Sequence, residues 1–369
     1  MKQGPSSHAI FWSVILFGLA ASVIANVFLM IIVVGQIQFP YVPRYLLFQY
    51  LFSYQDLGFV RRGLIGSLFD LPNDAGRVWQ VYVFATGQFA ALLIAMAYWL
   101  NRHGDPGFAW IVVLSPATFL QVGFDFGRLD ALFVLLTALN LMSRKPWPIL
   151  VLPLMVLIHE GSIVMFAPLI VLGHVYRFGI TPMLVASAAL AVGFVVWFAL
   201  DTQLLEVPIY EVYPALPPVT DILRLSFAEN WKMAIGHYAE TWSLMIDVPF
   251  FLLVHLVAGF YIFFLFAYVR GQMPPGLWRL LLSVACLTPL LLSPVGIDLG
   301  RWAAMSVFNL ILLNLAWARW EPPEKQPMTV LSGGRFAMLC LLFSFGPFAF
   351  ARPFPFLRNA FYNLHNLVN

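Results

Sequence analysis

Charged residues are scarce in this sequence: Asp, Glu, Lys and Arg make up 10% of its 369 residues, against roughly a quarter in ordinary soluble domains. The net charge of +3 is too small to point to nucleic acid, which is excluded as a partner. There are two cysteines, Cys286 and Cys340, and both fall inside apolar runs. They read as packing residues and leave no disulfide framework or thiolate metal site. No Gly/Ser linker or low-complexity stretch divides the chain, so residues 1–369 read as a single integral membrane domain. There is no Walker-type loop, no G-x-S-x-G elbow and no soluble nucleotide-binding region. A cytoplasmic nucleotide or nucleotide-sugar substrate is therefore not expected. With no H-x-x-x-H either, no metal and no cofactor is expected.

What the chain has instead is grease. It is 61% hydrophobic with a mean hydropathy of +0.85, more apolar surface than one soluble core can bury. Apolar segments fall at 9–34, 78–100, 107–121, 129–142, 147–158, 161–176, 181–200, 246–269, 276–293, 302–318 and 337–352. The expected fold is all-α, a polytopic transmembrane helix bundle with about 10–11 membrane segments. The N-terminus resembles a signal peptide as far as Ala25, but its apolar run continues to Val34. It reads as a retained first helix.

Several segments are short. A helix of 12 to 15 residues covers only about 18–22 Å, against a hydrocarbon core of about 30 Å. The four segments between 107 and 176 thus read as two re-entrant hairpins whose tips lie below the membrane surface. Two outer loops, 35–77 and 201–245, are expected to carry interfacial helices. In the second, Phe227, Trp231, Ile235, Tyr238 and Trp242 repeat at helical spacing. That stripe suits a headgroup-anchored amphipathic helix or, alternatively, a wall on which sugars stack.

The few charges gather in recurring patterns. "SPVGIDLGRW" places Asp298 and Arg301 three apart, and "VGFDFGRLD" does the same with Asp125 and Arg128, followed by Asp130. "SYQDLGFVRRG" holds Asp56 ahead of Arg61 and Arg62. "LIHEGS" puts His159 and Glu160 at the tip of the second hairpin. Acid and arginine three apart on a helix can pair, so each motif alone reads as a salt bridge closing a helix end. Arg61 and Arg62 would equally suit contact with anionic headgroups, and His159 could simply bond a carbonyl. Yet ionisable groups at membrane depth are expensive and mark functional sites by default. Arginine, with its planar fork, suits phosphate better than lysine does.

Orientation rests on the basic residues. With the N-terminus inside, lysines and arginines divide evenly between inner and outer connections, but the inner ones sit in short, tight loops (Arg102, Arg144–Lys145, Arg177, Arg270), where the positive-inside rule is most informative. That places every motif above on the outer face.

An acidic, aromatic first outer loop, short helices around a cavity, and outward acids and arginines resemble the GT-C class of integral-membrane glycosyltransferases. More narrowly, "QDLGFVRRGLIG", "FDFGRLD" and "HEG" are similar to bacterial polytopic proteins of exopolysaccharide and O-antigen assembly, polymerases included. Asp56 lies farther from the first helix than the first-loop acid of such proteins often does. The resemblance implies a polyprenyl-(pyro)phosphate sugar donor and a glycan acceptor hydroxyl in the bacterial cytoplasmic (inner) membrane. The site would face the periplasm, with other proteins of a polysaccharide assembly system as possible partners. It implies Asp56 or His159 as base with Glu160 orienting the histidine. Arg61, Arg62, Arg128 and Arg301 would hold the leaving phosphate, steadied by Asp125, Asp130 and Asp298. A flippase or transporter of lipid-linked glycans needs the same arginines but no base, and a membrane O-acyltransferase could use His159; both stay open.

Overall fold

The computed structural model describes residues 7–34, 42, 48–69, 78–103, 106–200, 232, 236, 247–273, 276–295, 299–321 and 334–335. Among these every regular element is helical. The expected segment at 337–352, the aromatic stripe of the 201–245 loop, Cys340 and Asp298 lie outside the described residues.

The first helix, α1 (Ser7–Val34), has no charge in its first or last turn. The following loop folds into three short helices, α2 (Phe48–Leu51), α3 (Tyr54–Leu57) and α4 (Gly63–Phe69). Next come α5 (Val78–His103), α6 (Pro106–Leu114), a π-turn over Pro116–Leu120 and α7 (Gln121–Phe124). α8 (Asp130–Met142), a 3-10 turn (Trp147–Leu150) and α9 (Val151–Ile158) follow, then α10 (Ser162–Met165), α11 (Ala167–Phe178) and α12 (Pro182–Leu200). The remaining elements are α13 (Asp247–Gln272), α14 (Leu277–Leu287), a 3-10 stretch (Thr288–Val295) and α15 (Leu299–Trp320).

Among the described residues five stretches are long and apolar enough to cross a membrane: Ala9–Val27, Trp79–His103, Pro106–Phe124, Pro182–Leu200 and Arg301–Trp320. α15 runs through the middle, with Val307, Phe308, Leu310, Ile311 and Leu312 wholly buried. α12 sits at the periphery and leaves Val185, Leu190, Val192, Val196 and Trp197 outward. A continuous outward apolar face of this kind needs an apolar surrounding.

The first hairpin departs from the sequence expectation in one respect. Its first limb is not a short segment ending at 121 but a broken helix running from Pro106 to Phe124. Pro116 supplies no N–H, and Thr118 adopts φ −108°, ψ −108°, so carbonyls lose their ladder partners. Hydroxyls and an amide repair the loss. Thr118 Oγ1 donates to Val112 O at 2.6 Å. From α1, Ser22 Oγ donates to Phe119 O at 2.6 Å and Asn26 Nδ2 to Gly123 O at 3.2 Å. A side chain at Gly123 would strike the backbone of Ser22, 2.3 Å from its added Cβ. Glycine here lets two helix backbones touch.

The other short segments remain short. α8 has 13 residues and α11 has 12, lengths of about 18–20 Å. Segment 161–176 is interrupted at Phe166 (φ −131°, ψ −31°). There Asn309 Nδ2 of α15 donates to Met165 O at 2.7 Å, and Thr288 Oγ1 to Val164 O at 2.7 Å.

The bundle has two distinct ends. At one, Trp320 Nε1 donates to Leu141 O at 2.9 Å and Arg177 donates to Asn140 O and Leu141 O. The C-termini of α8, α11 and α15 therefore meet there. The N-termini of α8 and α15 lie at the other end, with the charged motifs.

Candidate functional site

The turn after α7 is held from three directions. Asp125 and Arg128 open and close it, Arg128 N donating to Asp125 O at 2.9 Å. Tyr50 Oη donates to Gly127 O, Gln49 Oε1 accepts from Leu129 N at 3.3 Å, and Gln88 Nε2 donates to Arg128 O at 3.1 Å. Gly127 takes φ +93°, a left-handed conformation that glycine adopts without penalty. A Cβ there would also lie 2.7 Å from Val42. Gln49, Tyr50 and Gln88 carry no charge pattern, and the sequence alone did not single them out. Gln88 is ten positions into α5, so about 15 Å of that helix extends past the level of the turn. The site is sunk.

Three arginine–carboxylate pairs assemble around this turn. Arg128 Nε lies 3.1 Å from Asp125 Oδ1, the local pairing that the spacing of the motif suggests. Gln121 Nε2 grips the other oxygen of Asp125 at 2.5 Å. Arg301 pairs with Asp130: its Nε and Nη2 reach Oδ2 and Oδ1, each at 2.7 Å. The sequence spacing matched Arg301 with Asp298, which lies outside the described residues. Asp130 is 7% exposed and Arg301 12%, so each charge depends on the other.

The third pair joins the first loop to the second hairpin. Arg62 Nε lies 3.1 and 3.0 Å from the two carboxylate oxygens of Glu160, and Nη2 lies 2.5 Å from Oε1. Arg62 is the one non-glycine residue with positive φ among the described residues, at 65°. That conformation costs about 1–2 kcal/mol, and here it accompanies a bidentate grip across 98 positions. Arg61 also acts on Glu160 electrostatically.

His159 closes α9 in an extended conformation, and Gly161 N donates to its Nδ1 at 3.0 Å. An Nδ1 that accepts is unprotonated, so the neutral ring carries its proton on Nε2. Burial, and next the Arg62 guanidinium, push His159 down to about 3. Glu160 Oε2 is 3.6 Å from Nδ1, too far for a hydrogen bond. Glu160 is thus engaged by Arg62, and the expectation that it orients the histidine is not matched by this geometry. Against burial, Arg62 and then His159 hold its carboxyl well below the usual range. Phe133 meets the imidazole edge to face at 6.4 Å. Asp130 and Arg301 both act on His159 electrostatically, which ties the hairpin tip to the start of α8 and α15.

Asp56 differs from these acids. It is exposed, in the short α3, where Ser53 Oγ donates to its Oδ2 at 2.8 Å and accepts from its N at 3.2 Å. The Ser53 hydroxyl is an N-cap that also fixes the carboxylate. On the same loop the Tyr54 and Phe59 rings are 5.1 Å apart, and Trp197 Nε1 of α12 donates to Phe59 O at 3.1 Å.

Asp125, Arg128, Asp130, His159, Glu160, Arg62 and Arg301 thus gather at one end of the bundle, with Arg61 and Asp56 on the loop that supplies Arg62. Among the described residues no group of three His, Cys, Asp or Glu side chains has metal-holding geometry. A small apolar cleft of about 80 Å³ lies elsewhere, between α1 and α6, lined by Ile10, Val14, Ala109 and Trp110. It holds none of these groups. No family model matches the chain, and neither does any curated protein or solved structure.

Proposed function

We propose that the chain is an integral-membrane glycosyltransferase of the GT-C kind, working with exopolysaccharide or O-antigen assembly. It transfers a sugar or glycan from a polyprenyl-(pyro)phosphate donor to an acceptor hydroxyl. The reaction takes place on the periplasmic face of the bacterial cytoplasmic membrane. The observation that carries this reading is the convergence of three arginine–carboxylate pairs on one end of an apolar bundle. A donor whose phosphate sits at the bilayer surface and whose tail lies in lipid calls for cationic forks at that depth. The orientation is supported by Arg102, Arg144, Arg177 and Arg319, which lie toward the opposite end.

This reading assigns each residue a role. Asp56, exposed on the loop that carries Arg61 and Arg62, accepts the proton of the acceptor hydroxyl. The acceptor oxygen forms a bond to the anomeric carbon. The bond from that carbon to the phosphate oxygen breaks, and the leaving phosphate keeps the electron pair. Arg61, Arg62, Arg128 and Arg301 meet that growing charge, held in place by Glu160, Asp125 and Asp130. His159, with its proton on Nε2, serves as a neutral hydrogen-bond donor rather than as the base.

The deciding experiment measures glycan elongation on a purified lipid-linked donor in liposomes, with donor affinity determined separately. Arg128→Lys keeps the charge but loses the fork. It should slow transfer on the order of a hundred- to a thousandfold with little change in donor affinity. Wild-type protein that moves the donor across the bilayer and forms no glycosidic bond would replace this reading with a flippase.

A further inference from the structure

The end of the bundle opposite the charged pairs carries a different kind of cluster. Arg319 Nη1 of α15 points at His103 Nε2 of α5 across 3.4 Å. A guanidinium only donates, so that nitrogen of His103 is an acceptor. Arg102 precedes His103 in the same last turn, and both Arg102 and Arg144 are close enough to act on the charge of Arg319. Arg177 lies 5.3 Å over the Trp320 ring and donates to Asn140 O, Leu141 O and Ser143 O. Four helices, α5, α8, α11 and α15, end here together.

Converging C-termini attract cations, and Arg177 is accounted for in that way: its donors are spent on the last carbonyls of α8. Arg319 is not accounted for. Its Nε is buried and has no hydrogen-bond partner among the described residues. The carboxylate described at this end is Glu321, which accepts from Tyr176 Oη at 2.6 Å. Among the described residues positive charge is thus in excess beside a buried guanidinium nitrogen that lacks an acceptor.

We propose that Arg319, Arg102, Arg144 and His103 form a binding site for a phosphate-bearing anion, supplied by the headgroup of an anionic phospholipid. The phosphate would accept from Arg319 Nε and sit among cations that otherwise repel one another. The inference takes from the proposed function only the placement of the bundle in a bilayer. It does not depend on transferase chemistry.

The full-length protein in mild detergent is offered phosphatidylglycerol, phosphatidylcholine or inorganic phosphate, and retained lipid is read by native mass spectrometry alongside thermal unfolding. Wild-type protein should retain and be stabilised by phosphatidylglycerol at least about tenfold more readily than phosphatidylcholine. Arg319→Gln and Arg102→Gln should each weaken that retention about fivefold, the loss expected for one basic group at a lipid surface. Arg102 is exposed, so its variant tests the site even where Arg319→Gln fails to fold. Protection by inorganic phosphate, lost in the same variants, would uphold a phosphate site with a soluble source. Equal retention of the two lipids with no effect of phosphate, or phosphatidylglycerol retention unchanged in Arg102→Gln and in a folded Arg319→Gln, would overturn the proposal.

Discussion

Arg301 and Asp130, 171 positions apart in sequence, meet through two hydrogen bonds of 2.7 Å at the N-terminal ends of two neighbouring helices. The pair links the last described long helix to the turn that carries Arg128. Breaking it from one side leaves an uncompensated charge in a nearly dry place. Asp130→Asn should therefore cost roughly 3–5 kcal/mol, read by chemical unfolding in detergent. The double variant Asp130→Asn with Arg301→Gln should cost less than the sum of its parts, since neither charge is then orphaned. Strict additivity would mean that the two side chains do not share an energy.

Gly127 faces two obstacles at once, a left-handed backbone and a close wall at Val42. Gly127→Ala should destabilise by at least about 1–2 kcal/mol from the backbone alone. Adding Val42→Ala should restore only the part due to crowding. Full rescue would show that the conformation itself is not strained for alanine.

His159 offers a test through its two ring nitrogens. Glutamine can present a donor near the position of Nε2, while asparagine reaches only as far as Nδ1. If the ring donates from Nε2, His159→Gln should keep most of the transfer activity and His159→Asn should lose it. Loss of activity in both, with unchanged folding, would return the base to His159. Asp56→Asn, by contrast, should abolish transfer while leaving donor affinity intact.

The same residue sets a pH dependence. His159 is held down to about 3 in the folded protein, against an ordinary 6.5. Below 6.5 the unfolded chain therefore binds a proton that the folded one resists. The stabilising contribution of the neutral ring is complete above about 6.5 and is lost progressively as pH falls toward 3. Unfolding midpoints across that range should decline less steeply in His159→Gln than in the wild-type protein. Identical slopes would mean that this histidine titrates normally.

Much of this architecture was legible in the sequence, because apolar runs report helices directly. The runs at 78–100, 129–142 and 181–200 correspond to α5, α8 and α12 within a few residues. The Asp125–Arg128 pair was legible too, since three positions along a turn already bring them together. The Arg301–Asp130 pair was not, because local spacing says nothing about a partner contributed by another helix. The Arg62 grip on Glu160 was hidden for a further reason: it accompanies a positive φ that no residue pattern announces. Gln49, Tyr50 and Gln88 escaped notice because uncharged side chains that hold a turn leave no periodic trace.

The mended break in the 106–124 helix bears on how the chain is made. Ser22 and Asn26 emerge from the ribosome 97 residues before the carbonyls of Phe119 and Gly123 that they will serve. During that interval α1 must reside in its surroundings with two polar side chains whose eventual acceptors have not yet been synthesised. It has no acidic residue in its first turn and no basic residue in its last, so neither end of the helix offers these two groups a charged partner. The first helix acts as a template against which a later, imperfect one is completed, and synthesis order becomes a structural constraint.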